Sequence, residues 1–312
     1  MILSQKHLLG LKGMPRQDID LILNHAVSFK EILERPIKKV PTLRGKTIVN
    51  LFFENSTRTR ISFELAEKRL SGDTINFSAN TSSMKKGETL RDTARNIEAM
   101  RIEIIVVRHP AVGVPYFLAQ CTKATIINAG DGTNEHPSQA LLDIFTLKEK
   151  FKELKDLRVV IIGDILHSRV ARSNIWGLKT MGARVAVCGP STLLPLEMKE
   201  FGVDVYTDLN RAIADADVLY ILRLQMERQN SGLLPSLREY RERFGINKQR
   251  LKKVKPSLVI LHPGPINRGL ELSSEVADGE FSLILDQVTN GVAVRMAILY
   301  LLGGGDVESS GV

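Results

Sequence analysis

The residues best equipped for chemistry lie in the run Phe52-Phe53-Glu54-Asn55-Ser56-Thr57-Arg58-Thr59-Arg60. Ser56, Thr57 and Thr59 bring three hydroxyls to it, and Arg58 and Arg60 bring two guanidinium groups. A hydrophobic strand over 47–53 is expected to end in this run, and a helix over 60–70 to begin within a few residues. The start of a helix offers backbone N–H donors and the positive end of the helix dipole, which suits a phosphate. Arginine adds a planar fork that grips two oxygens at once. A plain helix cap would account for Ser56, but not for two arginines and two threonines in one cap.

Further polar runs fall where strands are expected to end. Arg108-His109-Pro110 follows a strand over 104–107, placing Arg108 at the edge where open α/β sheets bind ligands. His136-Pro137-Ser138-Gln139 opens a long helix over 137–150, with Pro at the first helical position. Taken alone, that run reads as an ordinary helix start with a hydrogen-bonded histidine. The polar segment Ser82-Ser83-Met84-Lys85-Lys86-Gly87-Glu88-Thr89 precedes another helix, and Lys86 there is a compact charge on a flexible stem. By itself this segment also reads as an exposed loop.

In the second half, Gly163-Asp164-Ile165-Leu166-His167-Ser168-Arg169 follows a strand over 159–163. A dinucleotide fingerprint would require G-x-G-x-x-G here, and only Gly163 is present, with His and Arg in its place. That opposes a nucleotide-dependent dehydrogenase and favours an anionic ligand. Arg223-Leu224-Gln225-Met226-Glu227-Arg228 follows a strand over 218–222. Arg169 and Arg223 are thus both expected at the C-terminal ends of parallel strands, where a dicarboxylate would meet two guanidinium forks. His109, His167 and His262 form no metal signature, and no metal or organic cofactor is expected.

These runs need an alternating scaffold to position them, and the rest of the chain supplies it. Strand-like runs at 47–53, 74–77, 104–107 and 125–128 alternate with helical stretches at 60–70 and 89–100. Ile19, Ile22, Leu23, Ala26 and Phe29 recur at helical spacing ahead of them. After a polar stretch at 151–157, a second series of strands is expected at 159–163, 184–188, 203–206, 218–222 and 258–262. The reading is α/β: two similar doubly wound domains, each a mainly parallel sheet flanked by helices. The first covers 1–150, and the second 151–286. A final apolar helix over 287–303 is expected to pack back on the first domain, before a Gly- and Ser-containing tail.

The 312 residues are enough for two domains, and 43% hydrophobic content fills two cores. No run approaches the roughly 18–20 apolar residues of a membrane span, so no membrane partner is expected. Residues 1–13 carry no secretory pattern, and Cys121 and Cys188 lie far apart in apolar surroundings. Both features suit a reducing cytoplasm. The net charge of +8 is spread along the chain, aromatics are only 5%, and no nucleic-acid motif occurs. Small anions are therefore the expected partners rather than nucleic acid.

Ser56-Thr57-Arg58-Thr59-Arg60 after a strand resembles the carbamoyl-phosphate loop of the aspartate and ornithine carbamoyltransferases. The other runs follow in that family's order along essentially the whole chain. The resemblance implies that carbamoyl phosphate is bound by Ser56, Thr57, Arg58, Thr59, Ser82, Arg108, His136 and Gln139. It implies that Lys86, Arg169, Arg223, Gln225, Pro263 and Gly264 serve the amino-acid acceptor, with Arg58, Thr59, Lys86, Arg108 and His136 catalytic. The first domain then binds carbamoyl phosphate and the second the acceptor. Arg-x-Gln-x-Glu-Arg at 223–228 is similar to the aspartate-specific branch in particular. Ornithine-specific relatives carry an Asp-x-Trp-x-Ser-Met-Gly loop and a Cys near the last His-x-x-Pro, and neither is present. L-aspartate is the acceptor implied, with N-carbamoyl-L-aspartate and phosphate as products in pyrimidine biosynthesis. The resemblance further implies a homotrimer in which Ser82 and Lys86 are lent to a neighbouring site. Larger assemblies with regulatory chains or a dihydroorotase, and a relative that binds without turnover, stay open at this stage.

Overall fold

The computed structural model describes residues 2–78, 88–225, 232–234 and 236–304. The chain divides into two compact units, Met1–Phe145 with Thr289–Val312, and Thr146–Val288. Both divisions fall inside helices, whereas the sequence marks its border at 151–157, where a helix ends. Among the described residues, no helix is long and apolar enough to cross a membrane.

In the first unit the order is α1 (Arg16–Glu34), β1 (Thr47–Phe52), α2 (Thr57–Arg69), β2 (Asp73–Ser78), α3 (Leu90–Ala99), β3 (Ile104–His109), α4 (Val114–Cys121) and β4 (Thr125–Asp131). The helix α5 (Pro137–Phe151) then leads out of it, and α10 (Ile284–Leu302) returns to it. The strands form one parallel sheet in the order β2-β1-β3-β4. Val49, Leu51, Ile105, Val107 and Ile126 from this sheet pack with Ala94, Ile97, Val114 and Leu118 from the helices α3 and α4. Near-continuous burial along β1 and β4 is what a parallel sheet covered on both faces demands. In α1 the five apolar residues at helical spacing are all buried, together with Asp18.

In the second unit the order is β5 (Arg158–Ile162), α6 (Arg169–Thr180), β6 (Arg184–Cys188), β7 (Asp204–Tyr206), α7 (Leu209–Ile213), β8 (Val218–Ile221), α8 (Leu237–Phe244), β9 (Val259–Leu261) and α9 (Ser274–Ala277). Its parallel sheet runs β7-β6-β5-β8-β9 around a core that includes Val160, Ile162, Ile221, Ile260, Tyr240 and Phe244. Each sheet reverses its winding once, between β1 and β3 in the first and between β5 and β8 in the second. Ligands of open α/β sheets bind in the crevice at such reversals, beyond the carboxyl ends of the strands.

Two differences from the sequence reading matter for the site. The helix α2 begins at Thr57 rather than at residue 60. Ser56 is extended, with φ −158°, and its carbonyl already accepts from the Arg60 N–H at 3.2 Å. Thr57, Arg58 and Thr59 therefore form the first turn of the helix instead of a loop before it. Similarly, Arg169 is the first residue of α6, placed by the turn that follows β5 rather than by the strand itself.

Candidate active site

At the reversal of the first sheet, β1 runs out at Phe52 and the Phe53 N–H donates to the Arg108 carbonyl at 2.9 Å. This bond pins the turn 53–56 beside the end of β3. The Ser56 side chain makes no cap bond, and no acidic residue stands in the first turn of α2. An acid there would ordinarily be favoured by the helix dipole. Arg58 and Thr57 are exposed, Ser56 is half-buried and Thr59 is buried. The arrangement leaves the positive helix end without a side-chain cap or an acid, which suits an incoming anion.

Arg108 comes from β3, where the pairing with β4 shifts register between Val107 and His109. Such an irregularity re-aims a side chain. Arg108 Nη1 donates to the Ala129 carbonyl at 3.0 Å, and its Nε lies 3.6 Å from Glu54 Oε2. Glu54 stands in the quoted run but received no role from the sequence, because only the pairing of β1 with β3 brings it to Arg108. His109 Nδ1 accepts from the Ala111 N–H at 2.9 Å, and burial pulls its pKa below the usual histidine range.

His136 is buried at the start of α5, and its carbonyl accepts from the Gln139 and Ala140 N–H groups. The approach to it is built from buried acids. Asp131 accepts from Asn128 Nδ2 at 2.8 Å, from the Gly113 N–H at 2.9 Å and from Asn134 Nδ2 at 3.0 Å. Glu135 accepts from the Leu11 N–H at 2.7 Å and the Lys12 N–H at 3.2 Å, tying the N-terminal segment to the same turn. Ser138 Oγ lies 3.5 Å from His136 Nδ1. Gln139 is nearly buried and donates from Nε2 to Asp143 Oδ1 at 2.9 Å. Ser82 and Lys86 lie outside the described residues.

In the second unit, Gly163 turns the chain at the end of β5 with φ +125°, and a Cβ there would stand 2.9 Å from the Tyr240 hydroxyl. Asp164, fully buried, lies 2.9 and 3.1 Å from His167 Nδ1 through its two oxygens. Ser168 caps α6 by accepting from the Ala171 N–H at 3.1 Å, and Arg169 behind it is only 4% exposed. Past β8, Arg223 is half-buried and Gln225 Nε2 donates to the His167 carbonyl at 3.4 Å. Glu227 and Arg228, the rest of that pattern, lie outside the described residues. Beyond β9, His262 Nδ1 accepts from the Gly264 N–H at 2.7 Å, and its Nε2 lies 3.4 Å from buried Glu271. Glu271 also accepts from the Asn267 N–H at 2.6 Å. These contacts shape the main chain at Pro263 and Gly264, where the Gly264-Pro265 peptide is cis.

Comparison with known proteins resolves what this geometry belongs to. The carbamoyl-P binding domain of aspartate/ornithine carbamoyltransferase matches residues 6–149, and the Asp/Orn binding domain matches 155–302. The chain belongs to the aspartate/ornithine carbamoyltransferase family. Within the family it is 61% identical to an aspartate carbamoyltransferase catalytic subunit of Gemmatimonas aurantiaca, over 97% of this chain and 95% of that protein. It is 62% identical to the corresponding subunit of Cytophaga hutchinsonii, over 97% and 98%. Among solved structures it is similar to aspartate transcarbamoylase from Trypanosoma cruzi in complex with carbamoyl phosphate and aspartate. That match has a TM-score of 0.84 at 30% identity, over 96% of this chain and 97% of that one. It is equally similar to an ornithine carbamoyltransferase from Pyrococcus furiosus, with a TM-score of 0.86 at 30% identity over 99% and 100%. Backbone geometry therefore identifies the family and leaves the acceptor to the side chains.

Proposed function

We propose that the chain transfers the carbamoyl group of carbamoyl phosphate to the amine of L-aspartate. The products are N-carbamoyl-L-aspartate and phosphate, at an early step of pyrimidine biosynthesis. The observation that carries this reading is the 56–62% identity, over nearly full length, to relatives named as aspartate carbamoyltransferase catalytic subunits. The fold superposes about equally well on an aspartate and on an ornithine enzyme, with TM-scores of 0.84 and 0.86, so it does not decide the acceptor. Arg169, Arg223 and Gln225 agree with the choice, since a dicarboxylate needs guanidinium donors where an ornithine amine would need acids.

In the proposed reaction the neutral amine of aspartate attacks the carbamoyl carbon, and the tetrahedral intermediate collapses as phosphate leaves. Thr59, Arg108 and His136 donate to the carbonyl oxygen as it gains charge. Arg58, with Ser56, Thr57 and the first amides of α2, stabilises charge on the departing phosphate. Preorganised donors of this kind contribute about 3 kcal/mol each. Gln139 meets the carbamoyl amine. Arg169, Arg223, Gln225 and the main chain at Pro263 and Gly264 hold aspartate, and the departing phosphate takes the amine proton. Aligning two substrates supplies much of the remaining rate. Because the leaving group is already activated, the steps are written without a metal or organic cofactor. We place the protein in the cytoplasm as a homotrimer with shared sites, Ser82 and Lys86 coming from a neighbouring subunit.

The test is phosphate release from carbamoyl phosphate with L-aspartate, L-ornithine or no acceptor, with the carbamoylated product identified. Aspartate-dependent release giving carbamoyl aspartate is expected. Release with ornithine alone would reassign the second unit, and release with neither would refute the transferase reading for the isolated chain. Mixed oligomers of Lys86→Ala and Arg58→Ala chains should recover part of the activity if sites are shared, and no recovery would refute sharing.

A further inference from the structure

The helix α10 carries a cation into the interior of the first unit. Arg295 is 3% exposed, and its Nη1 donates to Ser62 Oγ at 3.0 Å and to the Gly291 carbonyl at 3.0 Å. Its guanidinium lies 5.1 Å from the centre of the Phe63 ring. Ser62 and Phe63 belong to α2, the helix whose first turn holds Thr57, Arg58 and Thr59. Burial lowers the Arg295 pKa to about 10 and the Asp143 charge opposes that shift, so the group is still a cation at neutral pH. Asp143 is fully buried on α5, one helical turn beyond Gln139, whose Nε2 donates to it at 2.9 Å.

Stability gives little reason for buried charges here, because well-packed apolar residues often replace such a pair without loss. The hydrogen-bond direction gives a better one. An ionised carboxylate only accepts. With Gln139 Nε2 donating to Asp143 Oδ1, the NH2 end of the carboxamide is turned to Asp143 and its oxygen the other way. A carbamoyl group carries an NH2 of its own, and an acceptor is what that NH2 requires. A Gln139 side chain free to flip would offer a donor there half the time.

We infer that Asp143 is a positioning residue for carbamoyl transfer: it fixes which end of the Gln139 carboxamide meets the carbamoyl amine, while Arg295 ties α10 to the phosphate-binding helix α2. Neither residue touches substrate in this scheme. The inference rests on the proposed transferase reading, since it names the carbamoyl amine as the partner of Gln139.

A double-mutant cycle on the full chain tests it. In Asp143→Asn the new amide both donates and accepts, so the enforced orientation is lost. The expected result is a fall of about 10–100-fold in kcat/KM for carbamoyl phosphate, with the KM for aspartate unchanged at saturating carbamoyl phosphate. Gln139→Ala should show a similar loss, and the double variant should be no worse than Gln139→Ala within about twofold. Losses that multiply, or an unaffected Asp143→Asn enzyme, would overturn the inference. If Asp143→Asn does not fold, as read by circular dichroism, Asp143→Asn with Arg295→Met removes both charges and should fold. That variant must still lose kcat/KM for carbamoyl phosphate, and wild-type kinetics in it would also overturn the inference. Should the wild-type protein fail to carbamoylate aspartate, calorimetric binding of carbamoyl phosphate to wild-type and Asp143→Asn chains isolates the question. Equal dissociation constants would then count against Asp143 whatever the acceptor proves to be.

Discussion

The winding reversals of the two sheets occupy equivalent places in their units and are built in opposite ways. Between β1 and β3, the turn into α2 leaves Ser56 uncapping, Arg58 exposed and no acid at the helix start. Between β5 and β8, the turn into α6 satisfies itself internally. Ser168 caps the helix, buried Asp164 holds His167, and Arg169 is buried behind the cap. The first is a helix end with neither a side-chain cap nor an acid, the kind of end that suits an anion. Past β8, the second presents Arg223 and Gln225 beside that turn, with Gln225 Nε2 donating to the His167 carbonyl, a more rigid setting than the first. One reversal uses helix electrostatics, the other a rigid frame.

The difference can be tested from both sides. The largest effect is expected at the open end: Arg58→Ala should lower kcat by about 10²–10³-fold, measured as phosphate release, while the melting temperature stays near that of wild type. A mild loss would mean that the backbone amides alone carry the phosphate.

Glu67 comes next, lying on α2 fully buried and accepting from Asn50 Nδ2 of β1 at 2.9 Å. Burial pushes its pKa up from 4.5 to about 7. Between those values the folded chain keeps a proton that the unfolded chain releases, so this group's contribution is fully present below pH 4.5. It is lost as the pH rises to about 7 and is flat above that. The total is roughly 3 kcal/mol. Glu67→Gln should flatten the decline of melting temperature between pH 5 and 7, and an unchanged decline would show that Glu67 is ionised in the folded protein throughout.

At the rigid reversal, Arg223→Ala should raise the KM for aspartate about 10–100-fold and leave carbamoyl phosphate binding intact. Equal loss of both substrates would break the division of labour between the units. The smallest effect compares the two serines directly. Ser168→Ala should cost about 1 kcal/mol of stability as a lost cap. Ser56→Ala should cost little stability and instead weaken carbamoyl phosphate binding. Denaturant melts and binding titrations of the pair read both quantities, and a swapped outcome would reverse the roles assigned to the two turns.

Much of this was legible in the amino-acid sequence. The alternation of strands and helices, the parallel α/β class and the polar runs at strand ends follow from local periodicity. The strand over Arg184–Cys188 has the expected limits, and the five apolar residues of α1 lie in the core as their spacing requires. Element ends shifted where backbone bonding rather than composition decides. The Ser56 carbonyl starts α2 early, and α10 begins at Ile284, ahead of the apolar stretch read from the sequence. The helices Val114–Cys121 and Arg169–Thr180 had no expectation of their own.

The sequence by itself determined the family pattern and the grouping of hydroxyls, guanidinium groups and a histidine at strand ends, because these are local facts that survive without coordinates. Only the tertiary structure decided which groups stand beside them. Glu54 reaches Arg108 through the pairing of β1 with β3, and Glu271 reaches His262 across the segment that follows β9. Arg295, from the far end of the chain, donates to Ser62 on α2. A carboxylate buried beside its partner is written in the sequence like any surface acid, and only the packing that excludes water from it gives it a role.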